Sequence, residues 1–79
     1  MKRLPVKCAT RNLDGHAIII EKGETGYYLT DGNLTDKAID NFNEHMGADE
    51  EIVNIMTCAS MFGWDCYERL LAWEARKNG

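Results

Sequence analysis

The first thirty residues read as short apolar stretches broken by turn signals. Residues 5–11 predict a strand that Pro5 can open, because a strand's first residue needs no amide donor. Val6, Cys8 and Thr10 fall on one face of it, and Lys7, Ala9 and Arg11 on the other. Asn12-Leu13-Asp14-Gly15 is a turn whose Asp-Gly pair suits the positive-φ positions of a hairpin. Residues 16–22 form a second strand, in which Ala17-Ile18-Ile19-Ile20 is nearly continuous and β-branched, as in a central strand covered on both faces. A turn at Gly23-Glu24-Thr25-Gly26 leads into the short strand Tyr27-Tyr28-Leu29-Thr30, and Asp31-Gly32-Asn33 ends the region. The pattern predicts a three-stranded antiparallel meander over about residues 5–30.

Beyond Leu34 the spacing becomes helical. Thr35 is placed to cap a helix over 35–46, where Ile39, Phe42 and Met46 recur on one face and Gly47 stops it. Asp49 caps a second helix over 49–62, with Glu50 and Glu51 at its positive end and Ile52, Ile55, Met56 and Ala59 as its buried stripe. Gly63 breaks the pattern; continuing the helix through it would cost about 1 kcal/mol relative to alanine. Asp65 and Glu68 resemble a capping box for a third helix over 65–77, with Leu70, Leu71 and Trp73 on its apolar side and Arg76 and Lys77 at its end. The expected fold is therefore α+β: a short meander followed by two or three helices, in one domain of 79 residues.

Composition narrows the chemistry. No apolar run approaches the roughly 20 residues that span a bilayer, and the basic start runs into Val6-Lys7-Cys8 rather than a signal-type apolar stretch. A cytoplasmic protein with no membrane contact is expected. Three cysteines at wide spacing, Cys8, Cys58 and Cys66, suggest reduced thiols rather than a disulfide framework. No pair of cysteines or histidines has zinc-finger spacing, so no metal or other cofactor is expected. Cys66 near a helix start has Asp65 and Glu68 beside it, which oppose a thiolate, and no base is identifiable. Walker, dinucleotide-binding and nucleophile-elbow motifs are absent, and Asp31-Gly32-Asn33 departs from a calcium loop at its second position. So short a chain also suggests little room for a concave site. No catalytic residue is expected, and the chain is read as non-enzymatic.

The net charge of −4 hides an uneven distribution. Residues 1–11 carry Lys2, Arg3, Lys7 and Arg11, a charge of +4. Residues 69–79 carry Arg69, Arg76 and Lys77 against Glu74, a charge of +2. Residues 12–68 carry twelve acids against Lys22 and Lys37, a charge of −10. Asp36, Asp40 and Glu44 recur every fourth residue and make a like-charged helical stripe that costs the helix a few tenths of a kcal/mol per pair. Solvation and capping account for Asp36, Asp49, Glu50, Glu51 and Asp65; they do not account for Asp40 and Glu44. A docking surface for a basic partner does, since charge complementarity raises on-rate and specificity. An acidic face can also occupy a groove shaped for a phosphate backbone, as a nucleic-acid mimic, whereas direct nucleic-acid binding is disfavoured by the sign of the field.

The expected partner-binding residues are Asp36, Asp40, Glu44 and Glu50, with Tyr28 or Trp64 as aromatic anchors. A zinc- or thiol-dependent protein using Cys58, Cys66 and a histidine is the second reading, and a self-associating module pairing through the sheet edge or the Trp73 face is the third. Monomer and homodimer both stay open.

Ala59-Ser60-Met61-Phe62-Gly63-Trp64-Asp65 resembles a stretch of small phage and prophage proteins. Small size, acidic balance and missing catalytic motif resemble phage-encoded inhibitors of host defence, the anti-CRISPR proteins among them. That resemblance of type implies an inhibitor of a host nucleic-acid-handling complex such as CRISPR-Cas, acting in the host cytoplasm.

Overall fold

The computed structural model describes residues 6–23 and 26–78, without the side chains of residues 31, 64, 65 and 78. The Pro5 strand start, the Glu24-Thr25 turn and the side-chain roles of Trp64 and Asp65 lie outside the described residues. Three strands are followed by three helices: β1 (Lys7–Arg11), β2 (Ala17–Lys22), β3 (Tyr27–Asp31), α1 (Asp36–Met46), α2 (Glu50–Phe62) and α3 (Tyr67–Asn78), with a 3-10 turn at Gly63–Cys66. The fold is α+β, as the periodicity predicts. The sheet is antiparallel in the order β1-β2-β3, which puts the isoleucine-rich strand in the centre.

Turn chemistry explains the boundaries. In the first hairpin the Asn12 side chain accepts from the Asp14 and His16 amides, each at 2.9 Å. Only Gly15, at φ 83°, takes a left-handed conformation there, so the Asp-Gly expectation holds for its glycine alone. Thr35 accepts from the Ala38 amide at the start of α1, and Asp49 from the Ile52 amide at the start of α2. Gly63, at φ 79°, ends α2 and turns the chain into the 3-10 segment. Asp65 lies inside that segment, and α3 begins at Tyr67.

One face of the sheet makes the core. Val6, Cys8, Ile18 and Ile20 pack with Ile52, Ile55 and Met56 of α2 and Leu70 and Trp73 of α3. The stripe expected for α2 is buried throughout, as are Leu70 and Trp73; Leu71 is only half-buried. Helix α1 differs: Ile39, Phe42 and Met46 are half-buried and no residue of α1 is fully buried. Two side-chain contacts supply much of its hold on the sheet, and they build the site described below.

Glu74 is buried in α3, beside Trp73 and one turn beyond Leu70. Its carboxylate accepts from Lys22 Nζ at 2.6 Å, and both side chains are nearly dry, 12% and 6% exposed. The Lys22 ammonium also lies 5.4 Å from the centroid of the Tyr67 ring. The nearby Tyr27 phenol is pushed above its ordinary pKa by burial and then by the negative charge of Tyr67 and Glu74 in their ionised forms.

Removing one partner of a desolvated ion pair strands the other, so Glu74→Ala is expected to lower the unfolding free energy by about 3–5 kcal/mol in urea titration. Asp49→Ala is expected to cost about 1 kcal/mol at neutral pH through the lost cap. The Ile52 amide and then Lys77 hold the Asp49 carboxyl below its ordinary pKa. That contribution is therefore full above the ordinary carboxylate range and disappears as the pH falls through the lowered pKa. Wild type and variant should converge in acid, which paired urea titrations along a pH series will show.

Candidate functional site: an acidic groove beside the first strand

Strand β1 is an edge strand, and antiparallel geometry fixes which of its main-chain groups face outward. The Lys22 amide donates to the Val6 carbonyl and the Asn12 amide to the His16 carbonyl, so Val6, Cys8, Thr10 and Asn12 bond toward β2. Ala9 points its amide and carbonyl away from the sheet. Both meet Asn43 of α1: the Ala9 amide donates to Oδ1 at 2.6 Å, and Nδ2 donates to the Ala9 carbonyl at 2.9 Å. One side-chain amide thereby satisfies the middle of the edge, at Ala9, as a neighbouring strand would. It also fixes α1 along β1, with its acidic stripe on the solvent side.

The first turn of α1 is tied down by Arg11. Its Nε and Nη2 donate to Asp36 Oδ1 at 3.0 and 2.5 Å, Nη1 donates to the Gly15 carbonyl at 3.1 Å, and Nη2 also reaches the Leu34 carbonyl at 3.4 Å. Asp36 therefore carries a countercharge, although its side chain stays largely in solvent.

Between β1, α1 and the start of α2 lies an open groove of about 470 Å³. Ala9, Ile39 and Val53 contribute apolar lining; Asp36, Asp40 and Glu50 bring carboxylates to it. Three of the four acids expected to bind a partner thus share one feature. Glu44 is exposed one turn beyond Asp40 and does not line the groove. Tyr28 is exposed on β3, at the opposite edge of the sheet, and stands apart from these acids. A second open groove, about 780 Å³, lies between the β1–β2 turn, Leu29 of β3 and the end of α2, with Arg11 lining both grooves. The expectation that so short a chain has little room for a concave site is thus corrected: helices set against a three-stranded sheet leave two open grooves of several hundred Å³.

The charge map is also sharper than the sequence suggested. Lys77 Nζ lies 3.0 Å from Asp49, Arg76 pairs with Glu51, and Lys7 stands 3.7 Å from Glu21 across the β1–β2 ladder. Basic residues near both ends of the chain fold back on the acids of its middle. Among the described residues, no ion pair engages Asp40, Glu44 or Glu50. Asn43 and Glu74 were not singled out from sequence. Each is a polar residue on an otherwise apolar helical face, and that is the signal that could have found them.

The cysteines require a correction. Cys58 of α2 and Cys66 of the 3-10 turn are disulfide-bonded, with Cα atoms 6.4 Å apart across eight residues. The backward turn at Gly63 brings together residues that a linear spacing seems to separate. Cys8 is buried in the core as a free thiol, its pKa pushed up to about 12 by burial. Among the described residues no group of three or more histidine, cysteine or acidic side chains could hold a metal ion. No described helix is long and apolar enough to cross a membrane.

Comparison with protein-family models, curated proteins and solved structures finds no match for this chain.

The short Cys58–Cys66 ring should stabilise the fold by about 2–3 kcal/mol through the lost entropy of the unfolded chain. Reduction should remove that increment in urea titration. Alkylation of the native chain should label no cysteine before reduction and two after it, with Cys8 labelled only on unfolding, as mass spectrometry will read.

Proposed function

We propose that this chain is a non-enzymatic interaction protein that docks a basic surface of another protein into the groove beside β1. The observation that carries this reading is the convergence of Asp36, Asp40 and Glu50 around an apolar floor. Apolar lining supplies area to bury, and the acidic rim supplies steering and orientation. Asp40, Glu44 and Glu50, which form no ion pair among the described residues, supply the charge. Asp36 fixes the helix through Arg11 and shares its charge with it, so its part is secondary. Neither Tyr28, at the far edge of the sheet, nor Trp64 enters this reading as an anchor.

The partner class follows from the chemistry: a protein surface rich in arginine and lysine, with an apolar side chain for the floor. Nucleic-acid-handling complexes carry such surfaces where they hold phosphate. An inhibitor of a host complex of that kind, CRISPR-Cas among them, is the specific form that the resemblance of type suggests. What supports it is the sign and position of the charge.

The test uses Asp40→Lys, Glu44→Lys and Glu50→Lys combined, which leaves the Arg11–Asp36 and Asn43–Ala9 contacts in place. Affinity capture from the native host should recover a basic-surfaced protein with the wild type. The triple variant should bind that protein at least tenfold more weakly at low salt, a loss of about 1.4 kcal/mol or more. Equal affinity of the two forms would sink the proposal.

A further inference from the structure

The two edges of the sheet are unlike. Asn43 occupies the middle of the β1 edge, whereas β3 presents an edge that is open among the described residues. The Gly32 amide donates to the Ala17 carbonyl at 3.0 Å, so Thr30 and Tyr28 also bond inward, to Ile19 and Glu21. Leu29, opposite Ile20, therefore directs its amide and carbonyl away from the sheet, and no described residue hydrogen-bonds to either. An open edge of this kind is a template for another strand.

The face beneath that edge is apolar and wet. Leu29 lies on the core side of the sheet with Cys8 and Ile20, where α2 packs. From Leu29 the second groove, about 780 Å³, runs to the β1–β2 turn and the end of α2; Leu13, Met61 and Phe62 are the other exposed large apolar groups in a lining that also includes Arg11 and Asp14. Leu29, Leu13, Met61 and Phe62 are 56%, 83%, 45% and 65% exposed, a concentration of large apolar groups that usually marks an interaction site. The hydrogen-bonding edge and the apolar patch meet at Leu29, so one occupant can satisfy both.

We propose that the occupant is a second copy of this chain, joined by antiparallel pairing of β3 with β3 about a two-fold axis at Leu29. The strand is self-complementary in that register. Leu29 faces the second copy's Leu29 as a hydrogen-bonded pair, exchanging the two outward main-chain bonds each lacks. Tyr28 falls opposite Thr30, an aromatic against a β-branched residue, which is a favourable cross-strand pair. Asp31 falls opposite Tyr27, so no like charges meet. A two-fold axis perpendicular to the sheet keeps both core faces on one side, and the exposed Leu29 and Phe62 of each copy then converge near it. The acids of α1 lie beyond the opposite edge and do not repel across this contact. The result is a continuous six-stranded sheet. This surface is separate from the acidic groove and stands whether or not that groove binds a basic partner.

Sedimentation equilibrium on the purified chain, with no partner added, should show the mass doubling across a concentration series. Hydrogen exchange read by NMR gives an independent signature: the Leu29 amide should exchange at least tenfold more slowly in the dimer than in dilute protein, while Tyr28 and Thr30 stay protected in both. Leu29→Lys, at a side chain already more than half exposed, should abolish the dimer and leave the circular dichroism spectrum unchanged. A single-chain mass at every concentration overturns the proposal and leaves the edge for a strand of another protein. A dimer in which Leu29 exchanges as fast as in dilute protein overturns it equally.

Discussion

Lys22 and Glu74 carry opposite charges at a place nearly closed to water, and the arrangement of the helices follows from keeping them together. The residues lie at the end of β2 and in the last third of the chain, 52 positions apart. Neither charge tolerates that setting alone. Their pairing fixes α3 against the sheet and seats Trp73 and Leu70 in the core. With α3 so placed, Lys77 and Arg76 reach Asp49 and Glu51 at the start of α2. Glu50, between those two acids, has no such partner among the described residues and lines the groove beside β1.

The electrostatic character of the domain is therefore a remainder. A central stretch of charge −10 suggests a broad acidic field. Folding returns part of the terminal basic charge to it: Arg11 to Asp36, and Arg76 and Lys77 to the acids at the start of α2. Among the described residues, what stays without an ion pair near the groove is Asp40, Glu44 and Glu50. A local concentration of like charge on a helix that buries none of its residues costs stability, and function is the usual reason to retain such a cost. Exposed ion pairs elsewhere add little each; their effect here is to decide which acids remain available.

Features that act within a few residues were legible in the sequence. Thr35, Gly47, Asp49 and Gly63 mark helix ends because caps and positive-φ positions are local chemistry. The stripe Ile52, Ile55, Met56 and Ala59 is buried because a period of 3.6 is visible without knowing the partner. Contacts across the chain were not legible. Asn43 looks like an ordinary polar helix residue until the edge of β1 lies beside it. Glu74 counts as one more acid until Lys22 arrives from the sheet. Cys58 and Cys66 look remote because the reversal at Gly63 is three-dimensional. Asp36, Asp40 and Glu44 were singled out by their spacing and Glu50 by its place just beyond them; that Asp36 is ion-paired and Glu44 does not line the groove depends on Arg11 and on the direction α1 faces.

The Asn43 amide has a consequence beyond anchoring a helix. Any strand with a bare edge can recruit another, and a sheet bare on both sides can recruit without end, the route to ribbons and fibrils. The outward groups of Ala9 are engaged and α1 lies along β1 beside them, so a new strand has less to bond there than at β3. A single recruitment at β3 uses the more open edge. Two copies joined there would expose two β1 borders, each engaged at its middle, and growth beyond a pair is disfavoured. One asparagine, by imitating a strand it is not part of, biases how many chains this sheet can connect.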